Sequence, residues 1–211
     1  MSQDFELYHI TCYKNLNGIL TDGMLICKNN IDSKRTDYIS IAYETLQDRR
    51  KNRVVPLPPY GNLHDYVPFY FAPRSPMLYA IRRGCVEGYQ EGQENIIYFV
   101  VKTSKVLELN LEFVFTDGHP IIFYSKFYKK LDDMKCLDWE IMKERYWRNT
   151  DDDGDRKRRR QAEFLIYQTV PIDLIERIVV MNQGIARLIN ALLVKYQEKI
   201  PVEVRRDWYY D

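Results

Sequence analysis

The sequence has little cysteine, little histidine and no net charge to speak of. Cys12, Cys27, Cys85 and Cys136 are widely spaced and form no Cys-x-x-Cys pair, which excludes a zinc ribbon. A chain of 211 residues buries enough core to fold without disulfides, so these thiols are expected to be reduced. His9, His64 and His119 are too dispersed for a metal site, and none is expected. There is no Gly-x-Gly-x-x-Gly turn, no Gly-Lys-Ser/Thr phosphate loop, no Gly-x-Ser-x-Gly elbow and no His-Glu-x-x-His, which removes the commonest nucleotide, hydrolase and metalloprotease signatures. No apolar run reaches membrane-spanning length, and the N-terminus lacks a basic segment followed by an apolar one. A cytoplasmic protein without membrane contact is therefore expected. A formal net charge of +1 does not by itself call for nucleic acid.

Hydrophobic residues make up 45% and tyrosine alone contributes 17 positions, a globular composition rich in flat, half-polar side chains. Residues 5–10 read as a strand. Leu16, Ile19 and Leu20 follow at helical spacing with Gly23 as a stop, and 24–27 reads as a second strand. The polar stretch 28–53 suggests a mobile or ligand-ordered lobe, helical around 41–50. Pro56, Pro58 and Pro59 predict an extended linker over 54–61. An aromatic strand spans 66–72, where Pro68 marks an edge or irregular position, and a helix with proline in its first turn spans 76–83. Residues 96–101 form the clearest buried strand. Alternation of Leu107, Leu109, Leu111, Phe113 and Phe115 predicts one extended segment, and 131–147 a helix. An acidic run, Asp151 to Asp155, and a basic run, Arg156 to Arg160, then lead into a strand over 163–167. A strand at 178–181 and an amphipathic helix at 185–196 complete a single α+β domain without repeats.

Three constellations could carry chemistry. On a strand, Gln161 and Glu163 share one face, a carboxylate beside an amide that could grip sugar hydroxyls and stabilise positive charge at an anomeric carbon. Taken alone, the pair better suits the solvated start of a strand, with Glu163 salt-linked to the preceding arginines. His9 and Thr11 also share a face, and alone suit a satisfied half-buried histidine. Tyr70 and Tyr79 bracket a Ser-containing turn and could sandwich a nicotinamide ring, whereas Phe69 and Phe71 fit the core.

The order of these elements resembles the His-Tyr-Glu arrangement of diphtheria-toxin-like ADP-ribosyltransferases. The segment from Leu63 to Tyr79 looks like the hallmark of the DarT family, the toxins of DarT–DarG toxin–antitoxin pairs. Tyr8-His9-Ile10-Thr11, Asp48-Arg49-Arg50, Phe115 to His119, Lys157 to Leu165 and Arg206 to Tyr210 are similar as well, so the resemblance spans the chain. It implies an ADP-ribosyltransferase fold, a central split sheet with peripheral helices. It also implies transfer of ADP-ribose from NAD to a base of single-stranded DNA, typically thymine, with release of nicotinamide. A DarG-like macrodomain antitoxin would be the partner. The implied catalytic group is Glu163 with Arg50 and His119. The implied NAD contacts are His9, Ile10, Thr11, Gly18, Ile26, Arg50, Tyr70 and Tyr79. The NAD-binding lobe would be 31–52 and the substrate-recognition loop 119–163. The acidic run departs from the plainest family pattern as a local insertion.

Glu163, accepting a hydrogen bond from the ribose 2′-hydroxyl, would stabilise an oxocarbenium-like centre, and Arg50 would grip diphosphate or close the lobe. The thymine proton could pass to His119 or Arg50. Arg156, Lys157, Arg158, Arg159 and Arg160, with Trp147 and Arg148 upstream, combine cations with stacking faces suited to single-stranded DNA. The opposed reading is a solvated loop neutralised by its own acids. Rival functions are another acceptor (guanine, RNA or protein), a catalytically silent nucleic-acid-binding module, and a tRNA 2′-phosphotransferase relative.

Overall fold

The computed structural model describes residues 4–34 and 38–211; part of the expected lobe, 35–37, lies outside them. In chain order the elements are β1 (Glu6–Cys12), α1 (Leu16–Asp22), β2 (Met24–Ile26), α2 (Lys28–Lys34), α3 (Glu44–Lys51), β3 (Tyr66–Tyr70), α4 (Pro76–Arg82), β4 (Ile96–Lys102) and α5 (Thr103–Glu108). After them come β5 (Phe113–Thr116), β6 (Phe127–Tyr128), α6 (Trp139–Lys143), α7 (Arg156–Arg159), β7 (Glu163–Tyr167), β8 (Thr169–Pro171), β9 (Arg177–Val180), α8 (Gln183–Lys195) and β10 (Val202–Val204). Eight strands form one sheet in the order β10-β9-β4-β1-β3-β7-β5-β6, and β2 pairs with β8 separately.

Strand β4 is apolar from Ile96 to Val101 because it is covered on both faces. Phe99 and Val101 meet Leu7, Phe69 and the α8 residues Ile189 and Leu193. Tyr98 and Val100 meet Leu78, Ile81 and Trp208 on the other face. Helix α1 ends at Gly23, whose φ of 67° is the left-handed stop that glycine accepts readily. Ser75 caps α4 through Leu78 N, with Pro76 at its first position. Gly23 as a stop and Pro76 in the first turn were legible in the sequence; the Ser75 cap was not. No helix among the described residues is long and apolar enough to cross a membrane.

The sheet is split at its middle. Strands β1 and β3 meet at one register pair, Tyr8 with Tyr70, whereas β1 pairs with β4 along seven. Pro68 sits at the splayed part. Its carbonyl faces β1, where His9 Nδ1 lies 2.8 Å away, and a residue's N–H and C=O share one side of a strand. The donor that proline lacks would therefore have pointed into the gap, and no rung is lost.

Four expectations need correction. The alternation from Leu107 to Phe115 is not one extended segment: α5 ends at Glu108, Asn110 turns the chain at φ 50°, and only Phe113–Thr116 is strand. The predicted helix over 131–147 breaks into a 3-10 stretch, Leu131–Cys136, and the short α6, because the Asp138 side chain accepts from Ile141 N and starts a new helix. Residues 54–61 fold back rather than extend, with Val55 N donating to Gly61 O at 2.9 Å. Finally, Gln161 does not share a strand face with Glu163: β7 begins at Glu163, and Gln161 lies in the turn before it, its N–H donating to Arg158 O at 3.0 Å.

Candidate active site and nucleic-acid interface

The wedge between β1 and β3 opens into a cleft of about 380 Å³, within the range of small-molecule sites. Glu163 stands at one side, on the first residue of β7 and paired across the ladder with Tyr70. Its backbone N–H donates to Thr116 Oγ1 at 3.2 Å, and the side chain is 4% exposed. Arg50, near the end of α3, meets it as a fork: Nη1 to Oε1 and Nη2 to Oε2, both 2.9 Å. Burial alone would lower the Arg50 pKa, but the Glu163 carboxylate outweighs it and holds the guanidinium above its ordinary value. A buried guanidinium stays charged when a bidentate carboxylate replaces its water.

His9 comes from the other side of the wedge. Its Nδ1 donates to the Pro68 carbonyl, since a carbonyl can only accept, so Nε2 carries the lone pair of the neutral ring. Burial pushes its pKa down to about 4, against the opposing pull of that carbonyl, so the ring is neutral at pH 7. Thr11 is 2% exposed, and its oxygen accepts from Asn15 Nδ2 at 3.0 Å. Its own O–H has no acceptor among the described residues. His9 Nε2 and the Thr11 hydroxyl therefore offer one acceptor and one donor, a match for vicinal sugar hydroxyls. His119 also lines the cleft. Burial brings its pKa to about 4, with Glu163 opposing and Arg50 adding. Its Nδ1 accepts a long, 3.4 Å bond from Ile121 N, which leaves Nε2 protonated in the neutral ring.

Gly18, Ile26 and Tyr70 line the same cleft, as does Ile10. Tyr79 does not. On α4 the lining residues are Pro76, Met77 and Ala80, one face at helical spacing. Tyr79 points away and packs edge-on against Trp147 and Tyr210, with ring centroids 5.8 and 5.1 Å apart. Its expected nicotinamide contact is corrected to a strut under the loop before α7. The position opposite Tyr70 belongs to Met77, whose sulfur accepts from the Tyr70 hydroxyl at 3.5 Å.

The basic run is also placed differently from expectation. Arg158 pairs with Asp155 at 2.7 Å and Asp117 at 3.0 Å. Arg159 pairs with Asp138 at 2.8 Å and Asp153 at 2.5 Å. Arg160 is 1% exposed and donates to the Pro73 carbonyl. Burial lowers its pKa, and its Nε finds no partner. Trp147 is buried and donates to the Tyr210 hydroxyl at 2.8 Å. These four expected DNA contacts are internal braces, and the acidic run supplies two of their counter-charges. Arg148, Arg156 and Lys157 remain available, with no carboxylate within salt-bridge distance among the described residues. Lys157 and Gln161 line the cleft.

The sequence reading missed Asn15, Gln47 and His64. Asn15 exchanges two hydrogen bonds with the Ile39 backbone at 2.9 Å each, tying the lobe to β1. His64 Nε2 lies 2.9 Å from Gln47 Oε1 on α3. For Asn15 the available signal was an asparagine four residues after Thr11. Among the described residues, no group of three or more His, Cys, Asp or Glu could hold a metal.

A cleft in a split sheet, with a buried carboxylate facing a neutral His and Thr, defines the ADP-ribosyltransferase class. A family model for "ssDNA thymidine ADP-ribosyltransferase, DarT" matches residues 8–210. A DNA ADP-ribosyl transferase of Thermus sp. (strain 2.9) is 44% identical over 97% of this chain and 95% of its own. The solved structure of Thermus sp. 2.9 DarT in complex with ADP-ribosylated ssDNA superposes with a TM-score of 0.91, at 41% identity over 100% of both chains. The same protein in complex with NAD+ gives 0.87, at 40% identity over 97% of both. A Thermosipho africanus DNA ADP-ribosyl transferase–DNA ADP-ribosyl glycohydrolase fusion protein is 29% identical over 86% of this chain and 44% of its own. The chain belongs to the DarT family of NAD-dependent DNA ADP-ribosyltransferases.

Proposed function

We propose that this protein transfers ADP-ribose from NAD to a thymine of single-stranded DNA, with the Glu163–Arg50 fork as the reacting centre. The observation that carries this is a charged, forked pair buried in a cleft whose other wall presents His9 and Thr11. Nicotinamide ribose lies with its hydroxyls toward His9 Nε2, the Thr11 hydroxyl and Glu163. As the bond from C1′ to the nicotinamide nitrogen breaks, positive charge grows on the ribose, and the Glu163 carboxylate stabilises it more than it stabilises bound NAD. Nicotinamide leaves with the bonding electron pair. Arg50 fixes the carboxylate and keeps its remaining in-plane N–H donors for the diphosphate.

Thymine N1 is bonded to deoxyribose, so N3 is the ring nitrogen that attacks C1′. N3 loses its proton, and Glu163 accepts it once C1′ is no longer cationic. His119, protonated on Nε2, donates to a thymine carbonyl. N3 is also the pairing nitrogen, so the base must be unpaired. Phosphates run over Arg148, Arg156 and Lys157. The 211 residues act as one domain in the cytoplasm, where NAD and exposed DNA coexist. The fused glycohydrolase of the Thermosipho relative supports a macrodomain antitoxin that removes the modification. Mass spectrometry of short single-stranded oligonucleotides after incubation with NAD tests the whole reading. An ADP-ribose adduct on thymine in wild type, lost in Glu163→Gln, is expected; adducts on RNA or protein alone would overturn it.

A further inference from the structure

Two aromatic rings before Glu163 are held out in solvent on backbone that is firmly rooted. Phe123 is 84% exposed and Tyr146 is 77% exposed. Leaving such rings in water forfeits stability that burial would provide, and neither segment is loose. The Phe123 segment hangs on Arg158. The Arg158 carbonyl accepts from His119 N at 2.9 Å, its Nη1 donates to Ser125 Oγ at 3.1 Å, and its guanidinium lies 5.1 Å from the Tyr124 ring. The Tyr146 segment hangs on Arg156. Arg156 donates from Nη2 to the Tyr146 carbonyl at 2.8 Å and from Nε to the Arg148 carbonyl at 3.1 Å.

Arg156 and Arg158 lie two positions apart on α7, so they project about 200° apart around the helix. The single turn α7 therefore braces one aromatic segment on each side. Lys157, between them, reaches the cleft. Cations here without a carboxylate partner among the described residues include Arg148, Arg156 and Lys157, a charge that suits a phosphate backbone. Braced backbone, a largely exposed ring on each segment, that of Phe123 edge-on to Tyr124 at 5.0 Å, and nearby positive charge suit a strand whose bases are unstacked.

We infer that Phe123 and Tyr146 are stacking platforms for the bases on either side of the target thymine, and so set which single-stranded sequences this enzyme modifies. The inference rests on DNA as the acceptor. A paired duplex cannot use these platforms, because its bases already stack on one another. The rings act on capture and placement of the strand, so their loss appears in KM for DNA more than in kcat.

The test pairs protein variants with altered oligonucleotides. Phe123→Ala and Tyr146→Ala are each assayed for thymine modification on an oligonucleotide with one target thymine. A matched series carries an abasic site at one flanking position at a time. Each alanine variant should raise KM for the intact oligonucleotide about 10-fold, the size expected for one base–aromatic stack. Phe123→Trp and Tyr146→Phe should restore it. In wild type, one abasic position on each side should cost a similar factor, and each alanine variant should erase the cost of one of them. Wild-type KM in both alanine variants, or abasic penalties that persist in full in the variants, would overturn the inference. Failure of wild type to modify any oligonucleotide would instead remove the DNA reading beneath it.

Discussion

The two carboxylate oxygens of Glu163 and the two terminal nitrogens of Arg50 face one another at 2.9 Å, 113 residues apart in the chain. The pair joins α3, in the lobe, to β7, in the sheet. The carboxylate proposed to stabilise the reacting ribose is thus held by a side chain of the lobe.

Removing either partner tests that coupling. Glu163→Gln keeps the shape, and transfer should fall by at least about 100-fold, the scale for losing one aimed electrostatic group. Arg50→Lys should also impair transfer, because an ammonium cannot fork two oxygens. Glu163→Ala should lower thermal stability as well, since it strands a buried guanidinium at a cost of about 3–5 kcal/mol. Nicotinamide release and a melting curve read the two effects separately.

His9 and His119 both have folded pKa values of about 4, below the ordinary value near 6.5. Between these limits the unfolded chain binds more protons than the folded one. Stability contributed by these rings is present above pH 6.5 and is lost as pH falls toward 4. Urea midpoints should be flat from pH 8 to 7 and fall below pH 6.5. His9→Gln should make that fall shallower.

The placement of the basic run separates binding from bracing. Lys157→Ala and Arg148→Ala should weaken oligonucleotide binding and each reduce the log–log salt slope by about one. Arg159→Ala should leave a smaller change in that slope and a larger drop in melting temperature, because it releases Asp138 and Asp153. Fluorescence titrations at several salt concentrations distinguish the two patterns.

Asn15 offers a test of the lobe from behind Thr11, to which it also donates. Asn15→Ala removes both bonds to the Ile39 backbone and should raise KM for NAD several-fold with a smaller change in kcat. Tyr79→Phe keeps the ring packing and should leave KM for NAD near wild type, whereas Ala80→Trp, which fills the lined face of α4, should raise it sharply. Initial rates against NAD concentration decide both.

Much of this was legible in the sequence, for identifiable reasons. Strand β4 announced itself because burial on both faces leaves an unbroken apolar run. Gly23 and Pro76 marked helix limits because few residues serve there as well. The order of His9, Tyr70 and Glu163 carried the family resemblance that pointed to the cleft. Tyr79 was misplaced because helical phase decides its direction, and Met77 and Ala80 hold the phase that faces the cleft. Arg158 to Arg160 read as DNA contacts because Asp117, Asp138 and the Pro73 carbonyl, which join the local Asp153 and Asp155 as their partners, are distant in the chain. Residues 107–115 imitated a strand by alternation, and the turn at Asn110 gave too weak a signal to break it.

The single rung between Tyr8 and Tyr70 carries a further consequence. A continuous sheet resists bending along every ladder, but here the line of least backbone bonding runs through the cleft. NAD spanning that seam would contact both half-sheets and supply attachment that the strands do not give one another. Substrate would thus serve as a removable part of the scaffold, and the free enzyme should be most compliant along that line. Backbone amide exchange on either side of the seam should slow together when a non-hydrolysable NAD analogue binds.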